Sequence, residues 1–179
     1  MTNRTRSATL LGAACLVAVA GCGSDPKPKV LPSLSSTPST TATSTTSPGS
    51  VEAEVEAAVR HYFDVAQKAA NTGNTTELES LSTPTCGCRQ LVQSIKKTYA
   101  HGRSLGVQFL VHSTQVHDVR NRTAGAIVEF SVSAYRDVDE SGRVVQTYEP
   151  VIGRDDMSWV SSQGRWLLTN EVRLEGPGT

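Results

Sequence analysis

The chain has 179 residues, with 17 Lys and Arg balanced by 17 Asp and Glu, so its formal charge at neutral pH is zero. That balance excludes the strongly basic surface of a nucleic-acid binder or a polybasic membrane patch. With 37% hydrophobic residues, the chain can bury one core of ordinary size.

The first 21 residues read as a secretory signal. Arg4 and Arg6 form a basic start, residues 8–20 an apolar stretch, and Val19-Ala20-Gly21 a small-residue site directly before Cys22. Thirteen apolar residues are too few to span a bilayer, which takes about 20. The Val-Ala-Gly-Cys sequence resembles the lipobox of bacterial lipoproteins. The resemblance implies a diacylglyceryl group on the Cys22 thiol, cleavage before it, and a chain held on the extracytoplasmic face of the cell membrane. Without Arg4 and Arg6 the mature chain has 15 basic and 17 acidic residues, a charge near −2. Residues 22–50 then form a stalk. Between 23 and 50 there are eight Ser, six Thr and five Pro, too little apolar mass to offset the entropy of ordering. A flexible segment of that length spans roughly 30 Å and holds the domain clear of the bilayer.

Residues 51–179 suit a single domain. A helix is predicted over 51–72, with Val55, Ala58, Val59, Tyr62, Ala66, Ala69 and Ala70 on one stripe. Glu56, Arg60, Asp64 and Lys68 form its polar side. Ser50 is placed to cap its start and Gly73 its end. A short helix is expected over 76–81, and a longer one after Cys88 with Leu91, Val92, Ile95 and Tyr99 buried.

From Gly106 the apolar period changes to two. Strands are predicted near 107–119, 123–138, 143–152, 155–162 and 165–174, with turns at Asn121-Arg122, Asp139-Glu140-Ser141-Gly142 and Gln163-Gly164. Ala126, Val128, Phe130, Val132 and Ala134 should face the core, and Ile127, Glu129, Ser131, Ser133 and Tyr135 the other way. Helices followed by an antiparallel meander make an α+β domain: N-terminal helices packed on a strongly bent sheet of four to five strands. This order, with the ending Gly164-Arg165-Trp166-Leu167-Leu168, resembles the NTF2-like (cystatin-like cone) superfamily. The stretch 78–106, with Thr85-Cys86-Gly87-Cys88 and Thr98-Tyr99-Ala100-His101-Gly102, resembles a family of actinobacterial lipoproteins of unknown function. Those proteins carry a lipobox, a Ser/Thr/Pro stalk and one small domain. One residue separates the cysteines here, where that family more often has two.

Cys86 and Cys88 are the only thiols of the mature domain, and an isolated pair outside the cytoplasm most often forms a disulfide. The competing reading is a redox couple, since Cys88 stands at a helix N-terminus. Two sulfurs without a second pair do not make a zinc site, and no cofactor is implied. His61, His101, His112 and His117 read as surface or rim residues, with His112 and His117 on opposite faces of one strand.

Acid–base chemistry is the enzymatic alternative, because isomerases and cyclases of this superfamily use a carboxylate in the cone. Tyr62 points from the first helix toward the sheet, but no buried acid is evident. Asp64 lies on a polar face, and Asp118, Asp137 and Asp139 lie at strand ends or a turn. The expectation is therefore a non-catalytic domain that binds a small apolar ligand or an envelope protein. Tyr62, Phe130, Trp159 and Trp166 are its expected pocket walls, and a homodimer is one possible assembly.

Overall fold

The computed structural model describes residues 49–174. The expected signal segment, the lipidation site Cys22 and nearly all of the stalk lie outside the described residues. Three helices come first: α1 (Val51–Thr72), α2 (Thr76–Ser80) and α3 (Arg89–Tyr99). Seven strands follow: β1 (Gly102–Leu105), β2 (Phe109–Arg120), β3 (Thr123–Val132), β4 (Tyr135–Asp139), β5 (Val144–Tyr148), β6 (Val151–Ser162) and β7 (Arg165–Arg173). Among the described residues no helix is long and apolar enough to cross a membrane.

Helix α1 forms where its stripe predicts. Ser50 Oγ accepts the Ala53 amide at 3.2 Å, and Gly73 closes the far end in the left-handed region at φ 76°. The buried side is Val55, Val59, Tyr62, Phe63, Val65, Ala66, Ala69 and Ala70. Its small residues let the helix lie close against the sheet. Gly73 has a second duty, because a Cβ there would fall 2.3 Å from Cδ1 of Tyr99. The Tyr99 hydroxyl in turn donates to Ala70 O at 3.2 Å, which ties α3 to the end of α1.

The predicted single meander is two antiparallel sheets. One has the order β2-β3-β6-β7 and the other β1-β4-β5. The predicted strand over 123–138 breaks at Ser133 and Ala134. Ser133 Oγ donates to Gly106 O at 2.8 Å and accepts the Gln108 amide at 3.0 Å, so the chain before β2 seals the end of β3. Beyond that break β4 departs with β5 and recruits β1, a strand the apolar pattern does not mark.

The break also resets the alternation. In β3 the even residues Ala124, Ala126, Val128 and Phe130 are buried, whereas in β4 Asp137 and Val138 are. Tyr135, expected on the outer face, therefore turns inward. Met157, Trp159 and Leu168 complete the core from β6 and β7.

Candidate functional site

A cavity of about 650 Å³ opens between the C-terminal half of α1, α3, the concave face of the larger sheet and the smaller sheet. Its apolar wall includes Phe63, Phe109, Phe130, Leu91 and Ile95. Tyr62 and Phe130 line it. Phe63 packs against Phe130, with ring centroids 4.8 Å apart. Gly153, opposite Phe130 on β6, makes room for that ring, because a Cβ there would lie 2.6 Å from Cζ of Phe130.

The two tryptophans are elsewhere. Trp159 sits behind Tyr62, edge-on at 6.3 Å, and is fully packed in the core. Trp166 lies under the first turns of α1, where its indole N–H donates to Glu54 Oε2 at 3.1 Å. The N-terminal half of α1 covers that end of the sheet; the Trp159 ring is enclosed there, whereas Trp166 is half-buried and lines a separate cleft with Glu54, Ala58, His61 and Leu81. As a pocket wall, Trp159 is corrected to a packing residue, and Trp166 walls the cleft beside α1 rather than the cone.

Carboxylates project into this space, contrary to the expectation that no acid is buried. Asp155 is 1% exposed and faces the cavity with Glu171 and Arg173. Arg173 Nε is paired with Asp155 Oδ1, and its Nη2 donates to Oδ2 at 3.4 Å. The guanidinium also lies over the Phe130 ring, 5.4 Å from its centroid. Burial, then a hydrogen bond with Asp155 and that neighbour's charge, push the Glu171 carboxyl up to about 7, against a smaller pull from Arg173. Burial, then the charges of Glu171 and Asp155, hold the Tyr62 hydroxyl well above the usual tyrosine range. The group thus has one acid fixed by an arginine and a second that exchanges its proton near neutrality.

Asp155 was legible in the sequence: stepping back by two from Trp159 and Met157 reaches it on the same face. Glu171 was not. A register shift at Ser158/Trp159 pairs Trp159 with Leu168 and Ser158 with Asn170, which leaves Thr169 extra and turns Glu171 and Arg173 inward.

A second polar group lies on the smaller sheet. Asp137, 8% exposed, accepts from Ser104 Oγ at 2.6 Å and from the Tyr148 hydroxyl at 3.1 Å. It is not the strand-end residue expected. Tyr135 and Tyr148 stack beside it with centroids 4.3 Å apart. Burial, with Asp137 nearby, raises the pKa of both hydroxyls.

Cys86 and Cys88 are joined as a disulfide with Cα atoms 5.2 Å apart. The carbonyls of Cys86, Gly87 and Cys88 accept the amides of Arg89, Gln90 and Leu91, so the bridged turn leads into α3. Both cysteines are buried, whereas reactive thiols are usually partly accessible.

His112 and His117 share the outer face, contrary to expectation, because a register shift between Val111 and Ser113 inserts His112 as an extra residue. His112 Nε2 lies 3.0 Å from Ser131 Oγ. His117 sits between Asp118 and Asp156, 3.1 Å from each. Among the described residues no group of three or more His, Cys, Asp or Glu is placed to hold a metal ion.

Several solved structures share this architecture. The intermembrane space region of the chloroplast protein ARC6 is similar over 72% of this chain and 100% of that one, with 15% identity and a TM-score of 0.50. An uncharacterised protein with a cystatin-like fold from Caulobacter vibrioides matches over 69% and 89%, at 16% identity and TM-score 0.46. A hexachlorocyclohexane dehydrochlorinase, LinA type 2, matches over 70% and 92%, at 9% identity and TM-score 0.48. The fold is α+β, helices followed by bent antiparallel sheets, and one of these similar structures is described as cystatin-like. No family model matches the sequence, and neither does any curated protein. At these identities the likeness bears on fold alone, and the fold hosts binding proteins and enzymes alike.

Proposed function

We propose that residues 51–179 are a small-molecule binding domain of a cell-envelope lipoprotein, presented outside the cytoplasm from a lipid anchor at Cys22. The cavity carries the binding part of this reading. Its volume is that of a drug-sized ligand site, and its apolar walls with a few convergent polar groups have the composition such sites use. A cone filled by its own side chains would have removed the reading.

The anchor is supported by the basic start, the short apolar stretch and Val19-Ala20-Gly21-Cys22. Diacylation with a further N-acyl chain gives stable membrane attachment, which one chain alone does not. Mass spectrometry of the native N-terminal peptide tests it. The expected result is a lipid-bearing Cys22 as first residue, and a Cys22→Ser product that partitions into the aqueous phase. An unmodified Cys22 on a chain in the aqueous phase overturns it.

One observation favours a second reading, acid–base catalysis. Glu171, poised near neutrality beside Asp155 and Tyr62, meets the requirement for a general acid or base at working pH. Deuterium uptake at the carbons beside the carbonyl of 2-tetralone, followed by NMR, separates the two. Catalysis predicts uptake accelerated by the protein and lost in Glu171→Gln. Uptake at the buffer rate leaves a binding domain.

Self-association is proposed for the outer face of the larger sheet. There Leu110, Ser131 and Ile152 stand side by side on three strands, with the two apolar residues exposed.

A further inference from the structure

We infer that the cone selects an organic cation: an ammonium group seated on Asp137 and carried by an apolar or aromatic body. The inference rests on the binding reading above and specifies its ligand class. Asp137 lines the cavity yet is 8% exposed, and both its hydrogen-bond donors, Ser104 and Tyr148, are neutral hydroxyls. Among the described residues no Lys, Arg or His lies within ion-pair distance of it. A buried carboxylate without a counter-charge is costly, and a cationic ligand supplies the missing partner.

The rest of the wall points the same way. Asp137, Glu149, Asp155 and Glu171 line the cavity against a single cation, Arg173, whose charge is already matched by Asp155. An anionic ligand therefore meets an acidic wall with no unpaired cation to receive it. Ser104 and Tyr148 each occupy one position on a different Asp137 oxygen, which leaves an acceptor position on each for N–H donors. The stacked Tyr135 and Tyr148 rings beside Asp137 offer the π-faces that attract ammonium groups. From there the apolar walls of Ile95, Phe63, Phe109 and Phe130 give a hydrocarbon body its place.

The test uses three probes of one shape: 3-phenylpropylamine, 3-phenylpropanol and 3-phenylpropanoate. Each is titrated by calorimetry into the full-length protein in detergent at neutral pH. The amine should bind at least about tenfold tighter than the alcohol, and the carboxylate weaker than the alcohol. Asp137→Asn should bring the amine to within about threefold of the alcohol. If that variant does not fold, the wild-type series decides alone. Equal binding of amine and alcohol, or tighter binding of the carboxylate, overturns the cation assignment and leaves the cavity reading in place. An undiminished amine preference in a folded Asp137→Asn overturns the role of Asp137. Failure of all three probes overturns the cation assignment and counts against the cavity reading itself.

Discussion

Glu171 is the side chain whose environment has the most measurable consequence. Its carboxyl rises from the ordinary value of 4.5 to about 7 in the fold, chiefly through burial and then through Asp155. Between those values the folded chain keeps a proton that the unfolded chain has released. Stability therefore falls as pH rises through that window and stays reduced above it. Glu171→Gln keeps the shape and removes the titration. Denaturant unfolding should find the variant more stable than wild type at pH 8, by on the order of 1–3 kcal/mol, and nearly equal to it at pH 4. A constant difference across that range would mean that Glu171 ionises as freely folded as unfolded. Gly153 tests the opposite wall. Adding a methyl 2.6 Å from Phe130 Cζ and 3.0 Å from Arg173 Nη1 forces the ring or the guanidinium into the cavity. Gly153→Ala is expected to cost about 1–3 kcal/mol, as overpacking does, and to weaken probe binding. Unchanged affinity would show that Phe130 does not bound the ligand's space.

Among the elements, helices were legible because each carries its own evidence: a 3.6-residue stripe, a serine cap and a left-handed glycine at α1. The Asp139 turn was equally legible. Its carboxylate accepts from the Ser141 hydroxyl at 2.6 Å and from the Ser141 and Arg143 amides at 3.0 Å; the Ser141 hydroxyl, then the Arg143 amide and guanidinium, hold its pKa down to about 2. Which face a strand residue takes was less legible, because alternation survives only while register does. Slips at Val111/Ser113 and Ser158/Trp159, and the break at Ser133-Ala134, each exchanged inside for outside. Those three irregularities account for His112, Glu171, Tyr135 and Asp137 standing where the sequence did not put them. They also hid Glu171 and Asp137, whereas Asp155, on the unbroken alternation of β6, was within reach of the pattern. The shift in β2 sets up a clamp across three strands: His117 on β2 crosses Gly125 of β3 to reach Asp156 of β6. A Cβ at Gly125 would fall 2.2 Å from the imidazole, so the strand pairing needs that glycine. Burial pulls the His117 pKa down, but Asp118 and Asp156 outweigh it and the net shift is upward. The clamp's contribution is therefore complete below the unfolded histidine value and lost as pH rises through the folded one. His117→Gln should destabilise more at pH 5.5 than at pH 8, with a gap of at most about 1 kcal/mol because the pair is partly solvated. An equal loss at both pH values would assign His117 to packing.

For the whole molecule, the larger sheet keeps its two faces chemically separate, and that separation makes the proposed activities independent. Strand β6 shows it within two neighbours. Val151 lines the cavity, while Ile152 points outward and is 84% exposed. Ser131 pairs with Ile152 on one side and with Leu110, 60% exposed, on the other, so two exposed apolar residues flank a serine across three strands of the outer face. Large apolar side chains exposed on one sheet face are a common mark of an association surface. Sedimentation velocity should find a dimer of the wild-type chain and a monomer of Ile152→Asp. The same substitution should leave 3-phenylpropylamine affinity within about twofold, because substitutions that share no partner act additively. Asp137→Asn should do the reverse, losing the amine preference and keeping the dimer. Monomeric wild type would remove the association surface and leave the cavity untouched. Loss of amine binding in Ile152→Asp would instead mean that pairing shapes the cone, and the two faces would then have to be treated as one device.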